Sequence, residues 1–151
     1  MTTVYVVYHS QEAGNTAKLA EHVAAGCREA GAEVTCVNTN DARASVDAAE
    51  AADAYAIGTP DYFSYPAGGI KQFFDDIYTA NFQKRNVFTK PVALFCTHGG
   101  GGKATGPLGE LAQSCKLCAV DDVLSCKLAP DDAAAEKART LGKALVSAAE
   151  G

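Results

Sequence analysis

The chain has 151 residues, a length that fits one domain with a core large enough to need no disulfide or metal support. Its composition, 48% apolar and 21% charged, is typical of a globular protein and excludes a disordered one. The formal net charge of −5 argues against a sequence-independent grip on nucleic acid, which requires clustered Lys and Arg.

Neither the N-terminus nor the cysteines indicate export. The opening MTTVYVVYHS has no basic stretch and no long apolar run, so we predict no signal peptide and no membrane span, and expect a cytoplasmic location. Cys27, Cys36 and Cys96 lie in apolar-patterned segments, which predicts buried, reduced thiols. Cys115 and Cys118 form a single CxxC without a second ligand pair, so no metal site is predicted.

Apolar runs alternate with segments of helical spacing along the chain. Strands are predicted at residues 4–8, 33–37, 54–57, 91–97 and 120–128, and helices at 17–30, 45–52, 67–78, 104–115 and 131–149. The strands are continuously apolar, as expected when helices cover both faces of a parallel sheet. We therefore predict one doubly wound α/β domain over residues 1–151, with its ligand at the carboxyl ends of the strands.

The loop after the first strand, HSQEAGNT, runs directly into a helix. Unpaired N–H groups and a partial positive charge at a helix N-terminus bind phosphate, and Ser10, Asn15 and Thr16 add donors. The alternative is a plain cap, with Asn15 or Thr16 capping the helix. A dinucleotide loop would need GxGxxG and a triphosphatase loop GxxxxGK followed by Ser or Thr, and neither pattern is present.

The loop after the third strand, GTPDYFSYPAGG, carries Tyr62, Phe63 and Tyr65 within four positions. Aromatic side chains at the ligand edge can sandwich a flat conjugated ring, and Thr59 and Asp61 can bond its polar edge. The alternative is that one or two of these rings fold back onto the core, and we expect that of at least one.

The loop after the fourth strand, THGGGG, places four consecutive glycines beyond Thr97 and His98. A row of backbone N–H groups can approach the edge of a flat heteroaromatic ring only where no Cβ intervenes. The alternatives are a flexible connector and, for His98, either a proton donor or a solvated loop histidine.

Together these loops resemble those of the flavodoxin-like family. SQEAGNTAKLAE is similar to the family's phosphate loop, widened by one residue at Glu12–Ala13, and THGGGG is similar to the third loop of its quinone-reducing branch. The resemblance implies noncovalent FMN on a five-stranded parallel sheet of order 2-1-3-4-5. It implies that the phosphate lies at Ser10, Gln11, Ala13, Gly14, Asn15 and Thr16, and the isoalloxazine at Thr59, Pro60, Asp61, Tyr62 and Phe63. The ring's pyrimidine edge would face Thr97, His98, Gly99, Gly100, Gly101 and Gly102.

The resemblance implies a redox function with two forms. In the first, the protein carries electrons through FMN between protein partners, such as a reductase or an iron–sulfur donor or acceptor. In the alternative, it uses NAD(P)H to reduce a quinone or another small acceptor at the same site. A signalling receiver domain shares the topology but needs carboxylates after the first and third strands, where this chain has Tyr8–His9 and Ile57–Gly58.

Overall fold

The computed structural model describes residues 1–11 and 13–151, and Glu12 lies outside the described residues. Its strands are β1 Thr3–Tyr8, β2 Glu33–Asn38, β3 Ala54–Tyr62, β4 Tyr65–Pro66, β5 Pro91–His98, β6 Cys118–Ala119 and β7 Leu124–Lys127. Its helices are α1 Asn15–Glu29, α2 Val46–Ala51, α3 Gly68–Phe82, α4 Thr105–Ser114 and α5 Asp132–Glu150. Among these helices, none combines the length and apolar composition that crossing a bilayer requires.

The sheet confirms the predicted doubly wound topology. β1 pairs in parallel with β2 and with β3, and β3 pairs in parallel with β5. The order is β2-β1-β3-β5-β6, which is the predicted 2-1-3-4-5 once β5 and β6 are counted as the fourth and fifth strands. The prediction missed one feature: β3 continues past Ile57 to Tyr62 and turns back through β4 as a short antiparallel hairpin.

The predicted fifth strand, residues 120–128, is wrong in its start and its continuity. β6 and β7 both pair in parallel with β5, but at opposite ends of it. Residues 120–123 span the interval that Ala93 and Leu94 span on β5, so this strand carries two extra residues that cannot join the ladder. Asp121 and Asp122 in the gap are exposed, and their charge favours water over sheet pairing.

Two apolar cores lie on opposite faces of the sheet. Val4 and Val6 of β1 pack on the side of α1 and α5, while Tyr5 and Val7 pack on the side of α2, α3 and α4. This alternation follows from the two-residue repeat of a strand, and it explains why the central strands are apolar throughout. The helices therefore cover both faces, as predicted.

Of the three cysteines predicted to be buried, Cys36 is exposed because it lies in an edge strand. Cys27 and Cys96 are buried, as predicted, because they face the interior from α1 and β5. Cys36 is exposed, because β2 is an edge strand that neighbouring elements cover only in part. No group of three or more His, Cys, Asp or Glu within residues 1–11 and 13–151 is placed to hold a metal ion.

Candidate functional site

A cleft of about 190 Å³ opens where the chain leaves β1, β3 and β5. This position is the carboxyl end of the parallel strands, where the sheet order changes direction and where ligands bind in such folds. The residues that line it are Ser10, Gln11, Ala13, Gly14, Asn15, Thr16, Pro60, Asp61, Tyr62, Thr97, His98, Gly99 and Leu128.

The cleft brings together most of the predicted site residues, from all three loops. The predicted residues that do not line it are Thr59, Phe63, Gly100, Gly101 and Gly102. Leu128, which does line it, was not predicted, because the sequence analysis placed it inside the fifth strand, residues 120–128, whereas β7 ends at Lys127.

The first loop leads to the N-terminus of the 15-residue helix α1, whose first turn contains no acidic residue. Gly14 precedes this helix in the left-handed conformation, φ 70°, and as a glycine it has no side chain with which to cap the helix. The alternative that Asn15 or Thr16 caps the helix is therefore wrong. Instead, Ser10 Oγ accepts the backbone N–H of Ala17 at 3.1 Å, so the cap comes from the start of the loop.

The end of β2 and the turn that follows it hydrogen-bond to this loop, through residues that the sequence analysis did not single out. Asn38 Oδ1 accepts the N–H of Ser10 at 2.9 Å, and Asn38 Nδ2 donates to the Ser10 carbonyl at 3.0 Å. Thr39 Oγ1 lies 2.9 Å from His9 Nδ1. The available signal was the polar run NTND at the carboxyl end of the second strand, the same edge that the three chosen loops occupy.

A buried hydroxyl pair joins the first and third loops under the cleft. Thr16 Oγ1 of α1 and Thr97 Oγ1 of β5 are 2.6 Å apart, and both residues are buried. Either hydroxyl can donate and the other then accepts, so the pair forms one hydrogen bond between two buried side chains. Helix α1 and strand β5, which precedes the glycines, are thereby held together.

The second loop forms a tight hairpin in which Phe63 and Ser64 adopt φ of 57° and 62°. These left-handed values are uncommon without glycine, and here Asp61 Oδ1 accepts the N–H of Ser64 at 2.8 Å within the turn. Thr59 is buried beneath the hairpin, donates to the Pro60 carbonyl and accepts from Ala67 N–H. Its hydroxyl therefore holds the loop and does not face the cleft.

The aromatic side chains of this loop divide between the cleft and solvent. Tyr62 is partly buried, and its ring meets the His9 ring edge-on with centroids 5.8 Å apart. Phe63 is fully exposed, at 102%, and Tyr65 is 41% exposed. The expectation that a ring folds back is met in part by Tyr62, while Phe63 stands free at the rim because the left-handed turn directs it outward.

His9 is buried between the first two loops. Its Nδ1 faces Thr39, its Nε2 lies 3.4 Å from Gln11 Nε2, and burial lowers the pKa of its imidazole below the ordinary 6.5. At neutral pH this histidine is therefore uncharged.

The third loop has an exposed part at Gly99 and Gly100 and a buried part at Gly102. Gly99 and Gly100 are exposed, and nothing lies within 4 Å of a Cβ built on either one. Gly102 has φ 63° and packs on the imidazole of His98, where a Cβ would lie 3.0 Å from Cδ2. His98 Nδ1 is buried and has no hydrogen-bond partner in the described part of the chain.

Comparisons with known proteins identify the family and the fold of this chain. The model of the NADPH-dependent FMN reductase family matches residues 2–129. A flavodoxin from the domain Archaea superposes with a TM-score of 0.88 at 23% identity, covering 99% of this chain and 100% of that one. A WrbA-like flavodoxin from Agrobacterium tumefaciens gives 0.81 at 24% identity, covering 99% and 98%.

A third structure is longer than this chain. Rubredoxin oxygen:oxidoreductase from Desulfovibrio gigas gives a TM-score of 0.84 at 21% identity, covering 98% of this chain but 36% of that one. No curated protein matches the sequence. At these identities the structural matches establish the fold.

The fold and the cleft define a flavodoxin-like redox flavoprotein. The chain belongs to the NADPH-dependent FMN reductase family, and the prediction of FMN as its cofactor is confirmed.

The residues of the cleft fit FMN by their chemistry. A helix N-terminus without nearby acid in its first turn suits the phosphate, and an aromatic and glycine-rich end suits the ring. His98 lines the cleft, and its buried Nδ1, which has no hydrogen-bond partner among the residues that the structure describes, is a polar atom that a ligand can satisfy.

Proposed function

We propose that this protein is an electron carrier, which holds FMN in the cleft and exchanges electrons with protein partners at the cleft mouth. The observation that carries the proposal is the rim. Phe63, Tyr65 and Leu128 are 102%, 41% and 55% exposed. Leu128 lines the cleft, and Phe63 and Tyr65 lie in the hairpin of Tyr62, which also lines it. Exposed apolar side chains next to a cofactor site are typical of a docking surface.

In this proposal each loop has one task. The first loop binds the phosphate through Ser10, Gln11, Ala13, Gly14, Asn15 and Thr16, using dipoles, because no Lys or Arg lies in it. Pro60, Asp61 and Tyr62 flank the ring, with Thr59 and Phe63 shaping the hairpin around it. Thr97, His98 and Gly99 face the pyrimidine edge, and Gly100, Gly101 and Gly102 give the loop its course.

FMN supplies the electron chemistry, and the chain binds it, orients it and exposes one edge. The proposed partners are a reductase or an iron–sulfur protein. The name of the Desulfovibrio gigas protein, a rubredoxin oxygen:oxidoreductase, supports such partners, because its flavodoxin-like part occurs within a chain named for reaction with a small redox protein. A net charge of −5 favours association with basic partners.

The second candidate function is NAD(P)H-dependent reduction of a quinone or other small acceptor at the same cleft. The family description, NADPH-dependent FMN reductase, favours it. We also propose a cytoplasmic location, which is supported by Cys27, Cys96, Cys115 and Cys126 lying buried as free thiols, since such thiols persist in reducing compartments.

The experiment uses purified protein loaded with FMN. We expect binding of FMN with a visible flavin spectrum, negligible steady-state oxidation of NADH or NADPH in the presence of a quinone, and rapid reduction by a flavodoxin reductase. Sustained NADPH oxidation with a quinone would favour the second candidate instead. A protein that stays colourless after titration with FMN would contradict both.

A further inference from the structure

We propose that Asn38, the last residue of β2, and Thr39, the residue after it, are positioning residues that set the two ends of the FMN cleft separately: Asn38 sets the phosphate end and Thr39 the ring end. The inference rests on the proposed binding of FMN in the cleft. Neither residue lines the cleft, so each acts through a residue that does.

Asn38 holds the backbone of Ser10 on both sides. Its Oδ1 accepts from Ser10 N–H at 2.9 Å and its Nδ2 donates to the Ser10 carbonyl at 3.0 Å. Oδ1 also accepts the N–H of Asn40 at 3.1 Å. The orientation of the amide is thereby fixed, because two donors face Oδ1 and an acceptor faces Nδ2.

The turn around Asn38 is itself rigid. The Asn38 carbonyl accepts the N–H groups of Asp41 and Ala42 at 2.9 and 3.2 Å. Ser10 in turn caps α1 through its Oγ, so Asn38 controls where the first turn of that helix begins. Asn38 would not touch the ligand itself. Through its hydrogen bonds to Ser10 it can place the N–H donors at the start of α1 that would hold a phosphate.

Thr39 acts on the other end of the cleft through His9. Its N–H donates to the Tyr8 carbonyl at 2.7 Å, which fixes the residue, and its Oγ1 lies 2.9 Å from His9 Nδ1. The His9 ring packs edge-on against Tyr62, which lines the cleft. Its other contact, from Nε2 to Gln11 Nε2 in the first loop, is 3.4 Å long and therefore a weak one. The first turn of α3 closes over this hydroxyl, because a Cβ on Gly69 would overlap Thr39 Oγ1.

FMN and riboflavin separate the two roles, because they share the ring and differ in the phosphate. The test measures the affinity of the full-length apoprotein for each ligand by fluorescence quenching in Asn38→Ala, Thr39→Val and the control Asn40→Ala. Asn40 is exposed and shares the turn, but only its backbone contacts Asn38.

We expect Asn38→Ala to weaken FMN binding roughly tenfold or more, since two hydrogen bonds to Ser10 are lost. Riboflavin affinity should change less than about twofold, which is within the scatter of such measurements. Thr39→Val, which removes one hydroxyl contact at constant shape, should weaken both ligands by the same factor. Asn40→Ala should leave both affinities unchanged.

Asn38→Asp serves if Asn38→Ala does not fold, because it keeps the acceptor for Ser10 N–H and loses the donor. Its FMN-to-riboflavin preference should fall and stay low at about 0.5 M salt, where repulsion by the new charge is largely screened. Three outcomes would overturn the inference while leaving FMN binding by the unchanged protein intact. The Asn38 variants could weaken both ligands equally, or weaken neither. Alternatively, Thr39→Val could lose affinity for FMN alone. Failure of the unchanged protein to bind either ligand would overturn the proposed function and this inference together.

Discussion

His9 shows how one side chain contacts residues of two loops. It is the residue after β1, and its backbone N–H donates to the Gly58 carbonyl of the neighbouring strand. Its imidazole contacts Thr39 on one side and Tyr62 on another, so its charge state affects both neighbours. Because burial lowers its pKa below 6.5, the folded protein favours the uncharged ring.

We expect this histidine to make the apoprotein less stable in acid. Above pH 6.5 His9 is uncharged in both states, and its contribution to stability is fully present. As the pH falls below 6.5, the unfolded chain takes up a proton that the folded chain resists, so the free energy of unfolding decreases until the folded pKa is reached. Denaturant titrations of the native sequence and His9→Gln between pH 5 and about 8 test this, since 6.5 lies within that range.

The Gln variant should show a flatter dependence on pH across that interval. His22 and His98 remain in both proteins, so their contributions cancel in the comparison. Parallel curves for the two proteins would contradict the assignment to His9.

At the scale of elements, α1 and α5 are held in unusually close contact. A Cβ on Gly142 would overlap the Val23 carbonyl oxygen, and one on Gly26 would overlap the Arg139 carbonyl oxygen. Cys27 Sγ also reaches the Gly142 carbonyl at 3.5 Å. The two helices therefore meet backbone to backbone, which brings α5 down onto the same core that β1 and β5 line.

Gly142→Ala should lower the free energy of unfolding by about 1–3 kcal/mol, because neither backbone can yield without separating the helices. The matched control is Gly109→Ala in α4, where nothing lies within 4 Å of the new Cβ. There the better helix propensity of alanine should stabilise the protein by roughly 0.5–1 kcal/mol. Urea unfolding measures both, and two changes of the same sign would show that contact at Gly142 does not decide the outcome.

The elements themselves were largely predictable from the sequence. Short apolar runs such as the one containing Val4 and Val6 predict the central strands. The spacing of Ile70, Phe73 and Ile77 predicts α3. The predicted start of the last helix, residue 131, is one residue before the start of α5, and Asp131 caps that helix by accepting Ala134 N–H on its Oδ1 at 2.8 Å. These features depend on local periodicity and local capping, which a sequence displays directly.

Features that depend on distant partners were not predictable. Asn38 has its role only because β2 lies beside β1, which brings its amide to Ser10. Lys90 is buried, against the usual behaviour of lysine, because its Nζ donates to the carbonyls of Ala49, Glu50 and Ala52 at the end of α2. From the sequence, Pro60 predicts that the third strand ends before it. In the structure β3 continues to Tyr62, because it pairs with β5 and β4 beyond that point.

At the scale of the whole molecule, the acidic net charge and the exposed apolar side chains near the cleft would affect partner binding in different ways. The charge of −5 acts over distance and raises the rate of encounter with a basic protein. Phe63 and Leu128 act only in contact, at the mouth of the cleft. Electron exchange should therefore depend on salt through the charge and on side-chain size through the rim.

We expect Phe63→Ser to slow electron transfer from the reduced, FMN-loaded protein to a basic acceptor, with cytochrome c as the probe, by roughly tenfold at every salt concentration, as for loss of one interface anchor. FMN affinity should change little, since Phe63 is 102% exposed and does not line the cleft. Stopped-flow rates measure the effect.

Phe82→Ser is the control for this prediction. Phe82 is 70% exposed but ends α3, a 15-residue helix that leads away from the cleft, so the rate should not change. Equal slowing by both variants would argue that the acceptor recognises exposed aromatic surface in general and not the rim.

The interrupted last strand gives this protein a natural place to be lengthened. Since β6 and β7 each keep their own register with β5, extra residues between Asp121 and Asp122 need not displace either segment. Both aspartates face water, so an epitope or a small fluorescent reporter spliced there would extend outward from the margin of the sheet.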